Sequence, residues 1–275
     1  MSRQIAQGGA AGSKPPRHRV LSRGGIALLV VLLLSSTALL LMLERSGSVE
    51  LFEVFEGAEE ESASQGAGAP PAAIAPVTGA GPAMALTFDT ATAGSLPAGF
   101  ISARTGPGLD GKWVAQPDPT APTGPNVLAQ LSTDSTAARF PMAVATEGKY
   151  RDLEVSVKFK AISGRVDQAG GLVFRYQDAN NYYLVRANAL EHNYRLYRVV
   201  QGQRTQFAGS NLKVTAKEWH TLKVVCVGNQ IEASFDGQKV ISARDYTFQD
   251  PGLVGVWTKA DSVTYFDDLE VREVR

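Results

Sequence analysis

The chain has 275 residues, of which 44% are hydrophobic and 20% charged, a composition that is ordinary for a globular protein. Its 27 basic and 27 acidic residues give a formal net charge of zero, so nothing in the charge balance favours a nucleic-acid partner. The one cysteine, Cys226, excludes an intrachain disulfide. It lies in the apolar run LKVVCV, which indicates a buried small side chain rather than a reactive thiol.

The N-terminal segment has the pattern of a membrane anchor. Residues 1–25 form a basic tail without acidic residues, and residues 26–43 form a run of 18 uncharged residues. Such a run makes a helix of about 27 Å, which matches a hydrocarbon core. The length favours an uncleaved transmembrane signal anchor over the alternative, a cleaved signal peptide. The basic flank then places the tail in the cytoplasm and the rest of this single-pass protein in the periplasm or outside the cell.

Residues 44–83 are predicted to form a linker. Seven glutamates occur between residues 44 and 61, and 16 of the 22 residues from 62 to 83 are Ala, Gly or Pro. A segment of this composition cannot bury a hydrophobic core, so we expect it to be disordered. The predicted organisation is an anchor, a tether and one folded domain over residues 84–275.

The folded domain is predicted to be all-β. The stretch LEVSVKFKA alternates strictly, with Leu153 and Val155 on one face and Glu154 and Ser156 on the other. Asp236-Gly237 is a strong two-residue hairpin signal. About a dozen such strands without a helical pattern predict a two-sheet antiparallel jelly-roll sandwich.

The stretch GGLVFRYQDANNYYLVRAN, residues 170–188, is predicted to be a β-hairpin with its turn at Ala179-Asn180. An even register pairs Tyr176 with Tyr183 and Phe174 with Val185, which builds an apolar face. The predicted core residues of the hairpin are Leu172, Phe174, Tyr176, Tyr183 and Val185. Both arginines, Arg175 and Arg186, then point away from the core on the same face. In GLVGVWTKA the same alternation separates Val254 and Val256 from Trp257 and Lys259.

The domain resembles a known superfamily. The segments AGGLVFRYQDANNYYLVRANALEHNYRLYRVVQGQR, EWHTLKV, FDGQKV and GLVGVWTKADSVTYFDDLEV are similar to the concanavalin A-like lectin/glucanase superfamily. Within it they resemble laminin G-like domains related to the 3-keto-disaccharide hydrolase domain family. The resemblance covers most of residues 84–275 and implies a concanavalin A-like jelly roll with a ligand on its concave face. It does not fix the activity, because the fold hosts lectins, glycosidases and adhesion modules.

The sequence departs from the superfamily at the catalytic motif. Retaining glucanases of this fold resemble one another in a Glu-x-Asp-x-(x)-Glu strand, which sets two carboxylates about 5–5.5 Å apart. No Glu-x-Asp occurs in this chain. Glucanase chemistry is therefore not expected, whereas the resemblance leaves a 3-keto-glycoside hydrolase open.

The candidate ligand site lies on the face of the hairpin that carries the arginines. Aromatic rings stack on the C–H faces of sugars, and Arg and Asn donors bind hydroxyl or carboxylate groups. The predicted ligand-binding residues are Arg175, Tyr182, Arg186, Asn188, Trp257 and Lys259. The histidines, among them His192 and His220, are expected to have surface or packing roles.

A structural calcium ion is considered at the junction of the first and last strands. Asp89, Asp267 and Asp268 supply carboxylates of the kind that calcium prefers. The alternative, that these carboxylates accept hydrogen bonds from the backbone, is favoured. No other cofactor is expected.

Three functions follow from the sequence. The first is a membrane-tethered domain that binds carbohydrate or a related cell-envelope ligand, the second a 3-keto-disaccharide hydrolase-like enzyme, and the third an adhesion or spacer module. An Asp, Glu or His side chain beside the arginines would favour the enzyme, because catalysis needs acid and base groups in the site.

Overall fold

The computed structural model describes residues 84–274, which form the predicted all-β domain. The predicted tail at 1–25, anchor at 26–43 and linker at 44–83 lie outside these residues. The boundaries of the four predicted segments remain predictions. Among residues 84–274, no helix is present that has the length and hydropathy needed for a membrane span.

Fifteen strands lie within residues 84–274. They are β1 (Met84–Leu86), β2 (Phe100–Thr105), β3 (Trp113–Pro117), β4 (Asn126–Gln130), β5 (Phe140–Ala145), β6 (Leu153–Ser163), β7 (Ala169–Asp178), β8 (Asn181–Asn188), β9 (Asn193–Val200), β10 (Gln203–Asn211), β11 (His220–Val227), β12 (Gln230–Phe235), β13 (Gln238–Arg244), β14 (Leu253–Trp257) and β15 (Val263–Glu273).

The strands form two antiparallel sheets, as predicted. The eight-stranded sheet has the order β13-β12-β11-β6-β15-β4-β3, with β1 paired to β15. The seven-stranded sheet has the order β10-β9-β8-β7-β14-β5-β2. The arrangement fits a jelly-roll sandwich, in which the inner faces of both sheets build one hydrophobic core.

Local sequence patterns explain how the core forms. In β6, Leu153, Val155, Val157 and Phe159 are buried while the residues between them are partly exposed, which confirms the predicted alternation. The predicted hairpin at Asp236-Gly237 is also confirmed, since Phe235 pairs with Gln238 across it. Both turn residues have positive φ, 47° and 80°, as the tight hairpin turn requires.

The register predicted for the hairpin of β7 and β8 is wrong beyond its turn. Asp178 pairs with Asn181 around the expected turn, but Phe174 pairs with Tyr183 instead of Val185. The cause is a β-bulge between Phe174 and Asp178, in which Arg175 has a positive φ of 46°. The bulge inserts residues into β7 near the turn, where it changes the direction of the side chains. The other predicted core residues, Leu172, Phe174, Tyr183 and Val185, lie in the core as predicted.

Two predicted side-chain positions change as a result. Tyr176, predicted in the core, lies on the outer face of the sheet and stacks on Tyr182 with ring centroids 6.1 Å apart. Arg175 does not lie beside Arg186. Its guanidinium instead donates to the carbonyl oxygens of Arg151, Phe248 and Gly228, each at 2.7 Å. Arg175 therefore joins β7 to the loops of the opposite sheet.

Candidate ligand-binding site

The outer face of the seven-stranded sheet carries a second hydrophobic cluster. Its buried members are Phe140, Met142, Val144, Ala169, Val173, Tyr176, Tyr182, Leu184, Tyr197, Val199 and Trp257. Trp257 stacks on Phe140 with ring centroids 5.4 Å apart, and the Arg204 guanidinium lies 4.5 Å from the Tyr197 ring centroid. This packing explains why a tryptophan occupies the polar side of β14.

Four charged side chains meet beside these aromatic rings, and we call them the charged cluster: Asp167, Arg186, Glu191 and Lys259. Arg186 Nη1 lies 2.8 Å from Glu191 Oε2, and Lys259 Nζ lies 3.0 Å from Asp167 Oδ2. Arg186 belongs to β8, Lys259 follows β14, and the two carboxylates come from the loops before β7 and before β9. The cluster thus combines strand-held cations with loop-held anions.

Two asparagines bind the charged cluster together. Asn188 Nδ2 donates to Asp167 Oδ1 at 2.6 Å, and Asn193 Nδ2 donates to Glu191 Oε2 at 2.9 Å. Asn193 Oδ1 accepts a hydrogen bond from Arg186 Nη1 at 2.5 Å. The last residue of β8 and the first of β9 therefore fix both carboxylates relative to Arg186.

The loop that presents Asp167 is held by a carboxylate of its own. Asp261 accepts hydrogen bonds from the backbone N–H groups of Arg165, Val166 and Asp167, at 2.7 to 3.0 Å. Gly164 closes this loop, since a Cβ there would lie 1.8 Å from the Asp167 carbonyl oxygen. These backbone hydrogen bonds to Asp261 therefore fix the position from which Asp167 contacts Lys259.

The two carboxylates of the charged cluster have opposite pKa shifts. Burial raises the pKa of Asp167, against the opposing charges of Lys259 and Arg186. Burial also disfavours the ionised form of Glu191, but Arg186 and then Lys259 outweigh it and lower the pKa of Glu191 to about 2. The charged cluster therefore favours the ionised form of a carboxylate at the position of Glu191.

Comparisons with known proteins identify the fold. Residues 138–274 match the family model of the galactocerebrosidase C-terminal lectin domain. The carbohydrate binding module CBM66 from Bacillus subtilis is 18% identical over 62% of this chain and 94% of its own, with a TM-score of 0.50. The domain has a lectin-like jelly-roll fold, which is consistent with the predicted resemblance to the concanavalin A-like superfamily.

A second solved structure gives a weaker match to the lectin-like domain. A protein of unknown function with a galectin-like fold, also from Bacillus subtilis, is 10% identical over 70% of this chain and 99% of its own, with a TM-score of 0.46. No curated protein matches the chain in sequence.

The lectin-like domain brings together three of the six predicted ligand residues. Arg186, Asn188 and Lys259 meet in or beside the charged cluster, whereas Arg175 lies elsewhere. Tyr182 and Trp257 are fully buried in the outer hydrophobic cluster, so their rings are not exposed to a ligand. That these residues bind a ligand remains a prediction.

Sequence reasoning missed four residues of the site, namely Asp167, Glu191, Asn193 and Tyr197. Tyr197 Oη accepts a hydrogen bond from Arg186 Nη2 at 3.0 Å. The available signal was the pair of asparagines that bracket the turn between β8 and β9, since turn asparagines commonly hold neighbouring groups.

The carboxylates considered for calcium are held by protein donors. Asp89 Oδ1 accepts from the backbone N–H of Asn126 at 3.2 Å, and Asp267 Oδ2 accepts from that of Thr123 at 3.1 Å. Asp268 pairs with Lys158 at 2.8 Å. In the described part of the chain, no three His, Cys, Asp or Glu side chains are grouped to hold a metal. These are the backbone hydrogen bonds that the favoured alternative expects. The calcium site stays a prediction.

The lowered pKa of Glu191 predicts how acid affects the lectin-like domain. Because the pKa falls from 4.5 to about 2 on folding, its ionisation stabilises the fold above pH 4.5, and this stabilisation is lost as the pH falls towards 2. We expect the unfolding midpoint in urea to fall more steeply over that range for the wild type than for Glu191→Gln. The Glu191 charge contributes to the raised pKa of Asp167, so both proteins are compared in an Asp167→Asn background. If the urea midpoints of the two proteins fell equally with pH, the ion pair between Glu191 and Arg186 would be contradicted.

Proposed function

We propose that the lectin-like domain binds carbohydrate at the charged cluster on the outer face of the seven-stranded sheet. The superfamily fold supports this, as does a family model that describes a lectin domain and spans residues 138–274, which include the whole cluster. The observation that carries the proposal is the cluster itself. Its two buried cations, the buried Asp167 and the partly exposed Glu191 are joined by asparagine amides on a sheet face that is turned away from the main core.

Stability alone does not account for this arrangement. Removing charges from water is costly, and buried ion pairs are often replaced by apolar side chains without loss of stability. A few placed polar and charged groups beside aromatic side chains are instead typical of sites that bind small molecules. The turn between β8 and β9 gives access, because the side chain of Glu191 is 36% exposed and Leu190 beside it is 47% exposed.

We place this domain outside the cytoplasm, in the periplasm or at the cell surface, tethered by residues 26–43. The uncharged run and its basic flank support the proposal. The balanced net charge gives no support for a nucleic-acid partner.

A hydrolase related to the 3-keto-disaccharide group is the second candidate. The observation in its favour is the Glu191 carboxylate 2.8 Å from Arg186, since catalysis needs an acid or base group in the site. However, Glu191 has a pKa of about 2, which makes it a poor proton donor near neutral pH. Asp167 is 1% exposed and bound to Lys259, so a substrate cannot reach it without rearrangement. Binding is therefore preferred.

We expect the full chain, purified in detergent, to bind sugars on a glycan array, and we expect Arg186→Lys to weaken that binding about tenfold. Lysine keeps the charge but loses the planar fork that contacts Glu191, Asn193 and Tyr197. The matched control is Arg244→Lys, because Arg244 is exposed on β13 of the opposite sheet.

Turnover of a 3-keto-disaccharide is measured on the same samples. Turnover that Arg186→Lys abolishes would support the hydrolase. Neither binding nor turnover by the wild type would leave an adhesion or spacer module.

A further inference from the structure

Glu191 is the one exchangeable member of the charged cluster. It lies in the four-residue turn between Asn188, which ends β8, and Asn193, which begins β9. Its side chain is 36% exposed, whereas those of Arg186 and Lys259 are 1% and 6% exposed. The Glu191 carboxylate can therefore leave by rotation of its own side chain, while the cations stay in place.

The groups that Glu191 contacts form a receptor for a carboxylate. Its Oε2 lies 2.8 Å from Arg186 Nη1 and accepts from Asn193 Nδ2 at 2.9 Å. A guanidinium and an amide N–H₂ in this arrangement suit a planar anion. Partial burial opposes the ionisation of Glu191, but Arg186 and Lys259 lower its pKa, in agreement with these contacts.

The charge balance favours an acidic ligand over a neutral one. The charged cluster contains two cations and two carboxylates. A ligand carboxylate that replaces Glu191 keeps this balance and takes over its hydrogen bonds. A neutral hydroxyl group would instead meet Arg186 nitrogens that already contact Asn193, Glu191 and Tyr197.

We propose that the sugar bound at this site is a uronic acid or another carboxylated sugar, and that Glu191 occupies the place of its carboxylate in the free protein. This inference rests on the proposed function, since it names the ligand class of the same site. Glu191 acts as an internal competitor, and the apparent affinity is reduced by the fraction of molecules in which Glu191 fills the site.

Binding of trigalacturonate and of its carboxyl-reduced, neutral form to the full chain tests the inference. We expect the wild type to prefer trigalacturonate, and we expect Glu191→Gln to raise the affinity for it about fivefold, because glutamine competes without charge. The neutral form should show no such gain. Glu147→Gln is the matched control, since Glu147 is exposed in the turn before β6.

Each outcome separates the inference from the proposed function. A wild type that binds the neutral trisaccharide as well as the acidic one, with Glu191→Gln weakening both, would overturn the inference and leave carbohydrate binding intact. Such a result would mean that Glu191 itself accepts hydrogen bonds from sugar hydroxyls. Binding to no glycan by any of the three proteins would overturn both.

Discussion

Replacing Arg175 by alanine will lower the free energy of unfolding by about 4 kcal/mol. The buried guanidinium donates three hydrogen bonds of 2.7 Å to the carbonyl oxygens of Arg151, Gly228 and Phe248. It also lies 3.3 Å from the Asp152 carboxylate. Truncation leaves these three carbonyl oxygens without their donor, at a point where loops of the opposite sheet meet β7. The loss of unfolding free energy therefore combines several lost hydrogen bonds.

Urea denaturation of the full chain measures this effect, with Arg151→Ala as the control. Arg151 has an exposed side chain, and only its backbone carbonyl oxygen accepts a hydrogen bond from Arg175. The control should lose less than about 0.5 kcal/mol. Because Arg175 lies away from the charged cluster, the folded fraction of Arg175→Ala should still bind the ligand of the wild type. A stability loss no larger than that of the control would refute the structural role of Arg175.

The position of Arg175 shows where sequence reasoning ended. The alternation in β6 and the Asp236-Gly237 turn were predicted because each depends on residues that are adjacent along the chain. The bulge in β7 depends instead on partners that are remote in sequence, since Phe248 lies 73 residues away. Arginine at a positive φ carries no glycine-like signal, so LVFRYQ reads as one continuous strand.

The candidate site likewise contains residues that the sequence predicted and residues that it did not. Arg186, Asn188 and Lys259 were predicted because strand alternation places them on one face of the sheet. Asp167 and Glu191 lie in loops, where no strand period fixes their positions. The Asp167 backbone N–H donates to Asp261, and the Glu191 carboxylate accepts from Asn193. The structure thus added both carboxylates to a site that the sequence described as cationic and aromatic.

Replacing Lys160 by methionine will destabilise the domain by about 3 to 5 kcal/mol, because it breaks a buried ion pair from one side. Lys160 lies on the outer face of the eight-stranded sheet, where Nζ binds Asp118 and Thr120. It also lies 4.9 Å from the ring centroid of Trp219. Methionine retains much of the apolar stem but leaves the Asp118 carboxylate buried without its cation.

A double substitution separates this penalty from the loss of packing. Asp118→Asn removes the unpaired charge, so Lys160→Met with Asp118→Asn should be more stable than Lys160→Met alone by at least about 1 kcal/mol. Lys158→Met is the matched control on the same strand, since Lys158 is 38% exposed in its pair with Asp268 and should cost less than about 1 kcal/mol. If the double variant were no more stable than Lys160→Met alone, the unpaired Asp118 charge would not be the source of the loss. The proposed carbohydrate binding should survive in all three, because these residues lie away from the charged cluster, on the side of the opposite sheet.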